Sequence, residues 1–498
     1  MLGPQPEPVR RSQPAVDLVA PPACFAPGSA LYLRPDGLVM TCCGGWHLLG
    51  RVSGPGRRSL REIWDGPERA ELQAALAAGS YELGCFACKV EMDHAPGGGS
   101  LAREFDRYGP EERRFPAMID FALSDRCNLQ CVQCSGTFSS SIRRHREGRP
   151  PLPAAYDERF FDELDEFLPH LERAQFKGGE PFLMRESRTV WDRMLARGLA
   201  PEISITTNGT IWNDKVERYT EDLGFDVIVS VDAVDPASLE AIRVGVDAER
   251  LWANIARFRR ATARTGHSLV LSFCLMSINW QQLAPFLQAC DRVGADPDVI
   301  WVGGPGNFSL LTVPRADLLD VLAGMERTDR ALGPLSPAAR AIWDDALGRV
   351  RGQVEGSAST VPVVLGSSRS AQARFDERIA SAIDDLAGGD GAAVLRLHYV
   401  DELLQDVQAP AWSAWLQPEG WRGVGLRETL TTITLAAGGS VRSEVEELEG
   451  GAHRLVLTFE GEGPAGRARS IEGRSLPHPD DAGTICLLFA ELPSGPGA

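Results

Sequence analysis

Between Met118 and Val302 the chain alternates short β-branched and aromatic runs with longer stretches whose apolar residues recur at helical spacing. The runs at Met118–Leu123, Ala174–Lys177, Glu202–Thr206, Asp226–Val231, Leu269–Met276 and Val299–Val302 predict six strands. Between the first two, Phe160, Phe161, Leu164, Phe167, Leu168 and Leu171 form an apolar stripe. It predicts a helix with one buried face, the charged positions of Asp157–Glu172 making its solvated side. A second helix is predicted over Gln281–Val293. Strands alternating with helices imply a parallel sheet with right-handed crossovers. Six such units fall short of the eight that close a barrel. The expected fold is therefore α/β: an open, partial (β/α)6 barrel over residues 118–325.

The flanks read differently. Ala30–Leu33 and Leu38–Thr41 bracket Pro35-Asp36-Gly37, a turn signal that predicts a hairpin, and a helix is expected over Leu60–Ala78. Residues 23–95 thus form a small Cys-rich N-terminal domain, and residues 96–117 a linker that opens with Pro96-Gly97-Gly98-Gly99-Ser100. The preceding residues 1–22 are proline-rich, lack hydrophobic period and are expected to be disordered, with no export signal. Beyond the barrel, residues 326–390 read as a helical connector, with helices near Ala338–Val350 and Arg374–Leu386. Alternating stretches such as Thr431–Leu435 and Arg454–Phe459 make residues 391–498 a small α+β domain of unassigned role.

Composition narrows the partners. The 498 residues carry a formal net charge of -17, which disfavours nucleic acid and anionic membrane surfaces. No run approaches the roughly 18 apolar residues of a membrane span. A cytoplasmic protein is expected, and in a reducing compartment clustered thiols hold metal more often than they pair. Five of the 11 cysteines precede residue 90 (Cys24, Cys42, Cys43, Cys85, Cys88), three share one short loop (Cys127, Cys131, Cys134), and Cys274, Cys290 and Cys486 stand alone.

The loop Asp125-Arg126-Cys127-Asn128-Leu129-Gln130-Cys131-Val132-Gln133-Cys134 directly follows the first barrel strand. Three thiolates at this spacing can hold one face of an iron–sulfur cube and leave one iron open, unlike the four-Cys ligation of electron-transfer clusters. A zinc site stays open on spacing alone, though zinc favours four closed ligands.

This CxxxCxxC loop resembles the signature of the radical S-adenosylmethionine (radical SAM) superfamily, and the resemblance runs through residues 119–305. Gly178-Gly179-Glu180-Pro181, after the second strand, is similar to the family's GGEP motif, which meets the amino group of S-adenosylmethionine. Glycines there let backbone approach a ligand, and a carboxylate accepts from its ammonium. Thr207 and Asn208 after the third strand, Ser230 and Asp232 at the fourth, Arg243 beyond it and Val302 after the sixth match family positions around that cofactor. All fall at C-terminal strand ends, where parallel sheets build their sites. One departure is Gln133, where the family usually has an aromatic residue.

Cys24, Cys42-Cys43 and Cys85-Phe86-Ala87-Cys88 resemble the twitch or SPASM auxiliary-cluster domains, placed here ahead of the barrel. Five cysteines suit one auxiliary 4Fe-4S cluster, with Cys24, Cys42, Cys85 and Cys88 the expected ligands; Cys43 could replace Cys42, and a zinc knuckle is the alternative.

The resemblance implies two 4Fe-4S clusters, S-adenosylmethionine, an external electron donor such as flavodoxin or ferredoxin, and hydrogen-atom abstraction from a peptide or small molecule. Cys274, in the fifth strand, becomes a candidate hydrogen donor if it faces the barrel interior; the plainer reading is a small buried hydrophobe. A non-catalytic iron–sulfur redox sensor on the same fold is the alternative function.

Overall fold

The computed structural model describes residues 24–356, apart from 46, 82, 86–87, 89–91, 93–99, 303–307, 311–312 and 314, and beyond them the backbone of seven strands between 360 and 491. Nine strands make one sheet: β1 (Ala30–Leu33), β2 (Leu38–Met40), β3 (Gly50–Arg51), β4 (Met118–Phe121), β5 (Arg173–Phe176), β6 (Glu202–Thr207), β7 (Phe225–Ser230), β8 (Leu269–Leu275) and β9 (Asp296–Trp301). Their order is β3-β2-β1-β4-β5-β6-β7-β8-β9. From β4 to β9 every pairing is parallel, with helices on the crossovers, as the sequence predicts.

The predicted N-terminal hairpin forms as well. Gly37 takes φ +77°, a left-handed conformation open to glycine, and Asp36 steadies the turn by accepting from the Leu38 amide and from Arg34. Its first strand does more than close a hairpin. β1 pairs in parallel with β4, Tyr32 opposite Asp120, so the Cys-rich segment is hydrogen-bonded into the barrel sheet.

The single helix expected over Leu60–Ala78 is instead two, Leu60–Trp64 and Pro67–Ala77. Gly66 is extended (φ -73°, ψ 156°) because the residue before a proline avoids helical backbone, and Pro67 then opens the second helix at a position that needs no N–H. Ser59 caps the first helix through a capping box with Glu62.

Strand alternation divides the barrel into two faces. Ile119, Phe121, Ala174, Phe176, Ile205 and Val229 join the helical residues Phe160, Phe161, Leu164, Trp191 and Phe258 in the main core. Phe121 stacks on Phe176 with ring centroids 4.7 Å apart. The opposite, inner face carries Tyr32, Asp120, Gln175 and Ser204 side by side in register. Strands covered on both faces by apolar core would read as unbroken apolar runs; here the inner positions are polar.

After the barrel, a helix runs over Pro337–Gly356. The described strands beyond it form a three-stranded sheet (360–365, 393–399, 431–435) and a four-stranded antiparallel sheet (440–447, 453–460, 469–478, 481–491). Residues 1–22, the Pro96–Gly99 run and the helix expected near Arg374–Leu386 lie outside the described residues. Among the described residues, no helix is long and apolar enough to cross a membrane.

Candidate functional site

β4 delivers its loop to the barrel mouth, and backbone bonds hold it there. Gln130 and Val132 donate to the Val244 and Ile242 carbonyls at 2.9 Å, laying Cys131 against the segment that carries Arg243. Ser139 donates to the Leu129 carbonyl at 2.7 Å and accepts from the Ile142 amide, tying the loop to the helix Ser140–His145. The Cys127 amide donates to Ser140 Oγ at 3.3 Å. All three cysteines are half-buried. Burial pushes the Cys127 thiol up to about 11 and the Cys134 thiol up to about 12, and raises Cys131 too. Ionised sulfur is therefore stable here only with a cationic partner.

The surroundings suit that partner. Asn208 Nδ2 lies 3.8 Å from Cys127 Sγ, and Arg243 Nη1 3.9 Å from Cys131 Sγ. N–H donors aimed at ligand sulfurs are the means by which proteins tune iron–sulfur centres. Among the described residues, no three His, Cys, Asp or Glu side chains close around a single metal ion. Three soft sulfurs on one loop fit an iron–sulfur cluster.

The second loop, after β5, meets the first at close range. Gly178 takes φ +106°, and a Cβ on Gly179 would stand 2.4 Å from the Arg126 carbonyl oxygen, so both positions require glycine. Gly179 and Glu180 donate backbone N–H to the Ser124 and Arg126 carbonyls. Glu180 is fully buried, and its Oε1 accepts from Thr207 Oγ1 at 2.8 Å and the Phe182 amide at 3.1 Å. Its Oε2 accepts from the Asn208 amide at 2.8 Å. Burial still pushes this carboxyl up to about 7. Asn208 in turn donates to Asn128 Oδ1 at 2.9 Å and Asn128 to Thr210 Oγ1 at 3.0 Å, joining Glu180 to the Cys127 loop.

On the far side Asp232, fully buried, accepts from Gln133 Nε2 at 2.6 Å and the Cys274 amide at 2.8 Å, and forms an ion pair with Arg243, Nε and Oδ2 lying 2.8 Å apart. Arg243, expected beside the cofactor, has a protein carboxylate and Cys131 as its partners. Cys274 lies on the inner face beside Gln133, two residues beyond the Ser272 that pairs with Ser230. Its thiol is pushed up to about 12 by burial. Val302 is buried and donates to the Leu275 carbonyl, whereas Gly303 and Gly304 lie outside the described residues. Sequence reasoning registered Gln133 only as a departure and gave Asn128 no role. Gln133 fills the aromatic position with a hydrogen-bonded amide.

The N-terminal cysteines gather separately. Cys24, Cys42, Cys85 and Cys88 line one cavity with Thr41, Tyr81 and Phe105. Cys42 is buried toward it; its neighbour Cys43 is exposed and faces Lys177. Burial pushes Cys24 up to about 11 and Cys85 up to about 12. Four thiols around one apolar cavity are the donor set of a fully ligated cluster. Of the lone cysteines, Cys290 is buried in the helix Leu283–Val293, and Cys486 lies in a strand described by its backbone.

The model of the radical SAM superfamily matches residues 121–288, and that of the SPASM iron-sulfur cluster-binding domain matches residues 24–89. A protein of Methanocaldococcus jannaschii described as a probable GTP 3′,8-cyclase is 26% identical over 198 residues, covering 39% of this chain and 60% of that protein. A Pyrococcus furiosus protein, described as a tungsten-containing aldehyde ferredoxin oxidoreductase cofactor-modifying protein, is 26% identical over 182 residues, 35% of this chain and 48% of its own length. The chain thus spans about 60% of the length of the first of these curated relatives. Among solved structures, Streptococcus suis SuiB bound to S-adenosylmethionine aligns at 15% identity and a TM-score of 0.29, over 44% of this chain and 46% of that one. Three thiols on the loop after β4, the glycine–glutamate loop after β5 and the four-cysteine pocket ahead of both are the parts such domains use to hold 4Fe-4S clusters and S-adenosylmethionine, and the chain carries a radical SAM domain with a SPASM domain N-terminal to it.

Proposed function

We propose that this chain cleaves S-adenosylmethionine reductively at a 4Fe-4S cluster held by Cys127, Cys131 and Cys134, and takes a hydrogen atom from a peptide or small-molecule substrate. Cys127, Cys131 and Cys134 would hold that cluster, which would supply the electron for reductive cleavage of the sulfonium C–S bond. The observation that carries the reading is the join between Glu180 and the three-thiol loop, through Asn208, Asn128 and Cys127.

The protein's own residues divide the remaining work. Glu180, its oxygens fixed by Thr207, Asn208 and Phe182, presents a preoriented acceptor to the cofactor's amino group. Gly178 and Gly179 keep side chains out of the approach. Arg243 and Asn208 place N–H donors at the sulfurs. Asp232 holds Arg243 and Gln133 in place, and the packed outer face keeps water from the barrel wall. Cys24, Cys42, Cys85 and Cys88 hold the auxiliary cluster, and electrons come from an external donor such as flavodoxin or ferredoxin. Cys274 stands on the inner face, in position to deliver a hydrogen atom to the substrate.

The test is anaerobic. Protein reconstituted with iron and sulfide is mixed with S-adenosylmethionine and dithionite, and 5′-deoxyadenosine is read by mass spectrometry. Product from the wild type and none from a Cys127→Ala, Cys131→Ala, Cys134→Ala triple variant supports the reading. No product from an iron-loaded, reduced protein, with candidate substrates present, would sink it in favour of the sensor.

A further inference from the structure

On a chain of net charge -17, one short segment is strongly basic: Arg143-Arg144-His145-Arg146-Glu147-Gly148-Arg149, at the end of the helix Ser140–His145. Its members are engaged unequally. Arg143 is buried and donates to the Pro150 carbonyl, folding the segment back on itself. Glu147, its one acid, accepts from the Gly136 amide at 2.7 Å and lies 3.9 Å from Arg149. Arg144, His145 and Arg146 are exposed, and neither Arg144 nor Arg146 makes an ion pair among the described residues.

Arg146 ties this surface to the three-cysteine loop. Its Nη1 donates to the Cys131 carbonyl at 3.1 Å and to the Gln130 carbonyl at 3.4 Å, while the Gln130 amide donates to the Val244 carbonyl. Val244 is 41% exposed. The acids nearest to it in sequence are turned to backbone amides: Glu240 accepts from Ala248 at 3.4 Å and Asp247 from Arg250 at 2.9 Å. Unpaired cations and an open apolar side chain thus stand together against the backbone of a cluster ligand. The other charges near the cysteines are engaged or of opposite sign. Lys177 gives its ammonium to Asp120 Oδ2 at 2.5 Å on the inner face. Beside the four-cysteine cavity, the helical turn Leu101–Tyr108 carries Glu104 and pairs Arg103 with Asp106 at 3.1 Å.

Like charges held side by side repel, and an acidic partner relieves that repulsion as it is steered in. Encounters between redox proteins are small, below about 1,200 Å², and a few cations around one apolar contact suffice. Electron transfer falls steeply with distance, so the approach must be made beside a cluster ligand. We propose that Arg144, Arg146 and Val244 form the docking face of a small acidic one-electron carrier protein, which delivers its electron to the cluster beside Cys131. One electron leaves the carrier and enters the cluster, and no bond or proton is exchanged. The assignment rests on the radical SAM reading above and gives its electron donor a place on the surface.

The test uses the full chain reconstituted with iron and sulfide. Bleaching of the iron–sulfur absorption is followed by anaerobic stopped flow, with reduced flavodoxin as the carrier and dithionite as the small reductant. Reversing both charges, Arg144→Glu with Arg146→Glu, is expected to lower the flavodoxin rate constant about tenfold or more at low salt and to leave the dithionite rate unchanged. The difference should vanish between about 0.01 M and about 1 M salt, as the screening length shrinks from about 30 Å to about 3 Å. Arg144→Lys, which keeps the charge, should match the wild type. Where the double variant loses iron, Arg144→Glu alone decides, since its side chain holds no part of the cysteine loop. Equal flavodoxin rates, equal slowing with dithionite, or slowing that persists at high salt would each overturn the assignment. Equal rates together with loss of self-association in the variant would give the face to a second copy of the chain. 5′-Deoxyadenosine formed with dithionite while the flavodoxin rate ignores the charges overturns the docking face and leaves the radical reading; a charge-dependent rate without 5′-deoxyadenosine does the reverse.

Discussion

Thr207 Oγ1 donates to Glu180 Oε1 at 2.8 Å, across 27 residues of sequence, and so fixes the end of β6 against the loop that follows β5. The Asn208 amide on Oε2 and the Phe182 amide on Oε1 complete a cage that leaves the carboxylate no rotational freedom. A buried acid held this firmly offers its remaining lone pairs in one direction. Burial raises its proton affinity while the three donors lower it, and burial wins, placing the carboxyl at about 7.

That value sets a pH signature. From the ordinary 4.5 up to about 7, folded Glu180 keeps its proton while the unfolded chain ionises. The folded state binds more protons across that window, so the contribution of Glu180 to stability is present at low pH and lost as pH rises through about 7. Urea midpoints of protein without S-adenosylmethionine, measured across the window, should fall relative to those of Glu180→Gln, which cannot ionise. A wild-type-to-variant difference that does not change with pH would refute the shift.

Gly179→Ala should weaken S-adenosylmethionine binding while leaving most of the fold. The added methyl would sit 2.4 Å from the Arg126 carbonyl oxygen and 2.9 Å from the Asp125 carbonyl carbon, and both belong to the backbone of the cysteine loop. Neither atom can swing aside, so the loops must part. Equilibrium dialysis should show affinity lower by about a hundredfold or more, equivalent to roughly 3 kcal/mol. Retained affinity would mean that the two loops tolerate separation.

The pair Asp232–Arg243 should behave as a buried ion pair. Both side chains are at least nine-tenths buried, with Nε and Oδ2 at 2.8 Å. Arg243→Met leaves Asp232 charged and facing only Gln133 and the Cys274 amide, and should cost about 3–5 kcal/mol in urea unfolding. Adding Asp232→Asn to that variant should recover part of the loss, because the stranded charge is gone. Strict additivity of the two single changes would contradict the pairing.

These relationships differ in how far a sequence can carry them. The barrel strands were legible because each is a short apolar run followed by a loop-forming motif, and predicted and observed limits differ by a few residues at most. The break at Gly66-Pro67 was written in the proline and outweighed by the apolar period around it. The three cysteines of the loop announced themselves by spacing. Asp120 facing Lys177 did not, because their meeting depends on the register of β1, β4 and β5, which no local pattern encodes. Asp120 gave one faint signal: it is a lone acid inside an apolar strand. The choice between Cys42 and Cys43 was hidden for a similar reason, since adjacent side chains leaving a strand diverge and only the packing of the helix Pro67–Ala77 shows which one faces the cavity.

That last choice gives a direct test of the auxiliary site. Cys42 lies with Cys24, Cys85 and Cys88 around one cavity, whereas Cys43 is turned toward Lys177 and Asp120. If the cavity holds a 4Fe-4S cluster, Cys42→Ser replaces one of its four sulfurs with a hard, short oxygen, and the cluster should be lost or weakened. Iron per chain should fall by about four from a wild-type count of about eight. Cys43→Ser touches no ligand and should keep the full count. Zinc without sulfide in the wild type would reassign the cavity to a structural metal. Equal iron loss from both variants would mean that Cys43, too, reaches the metal.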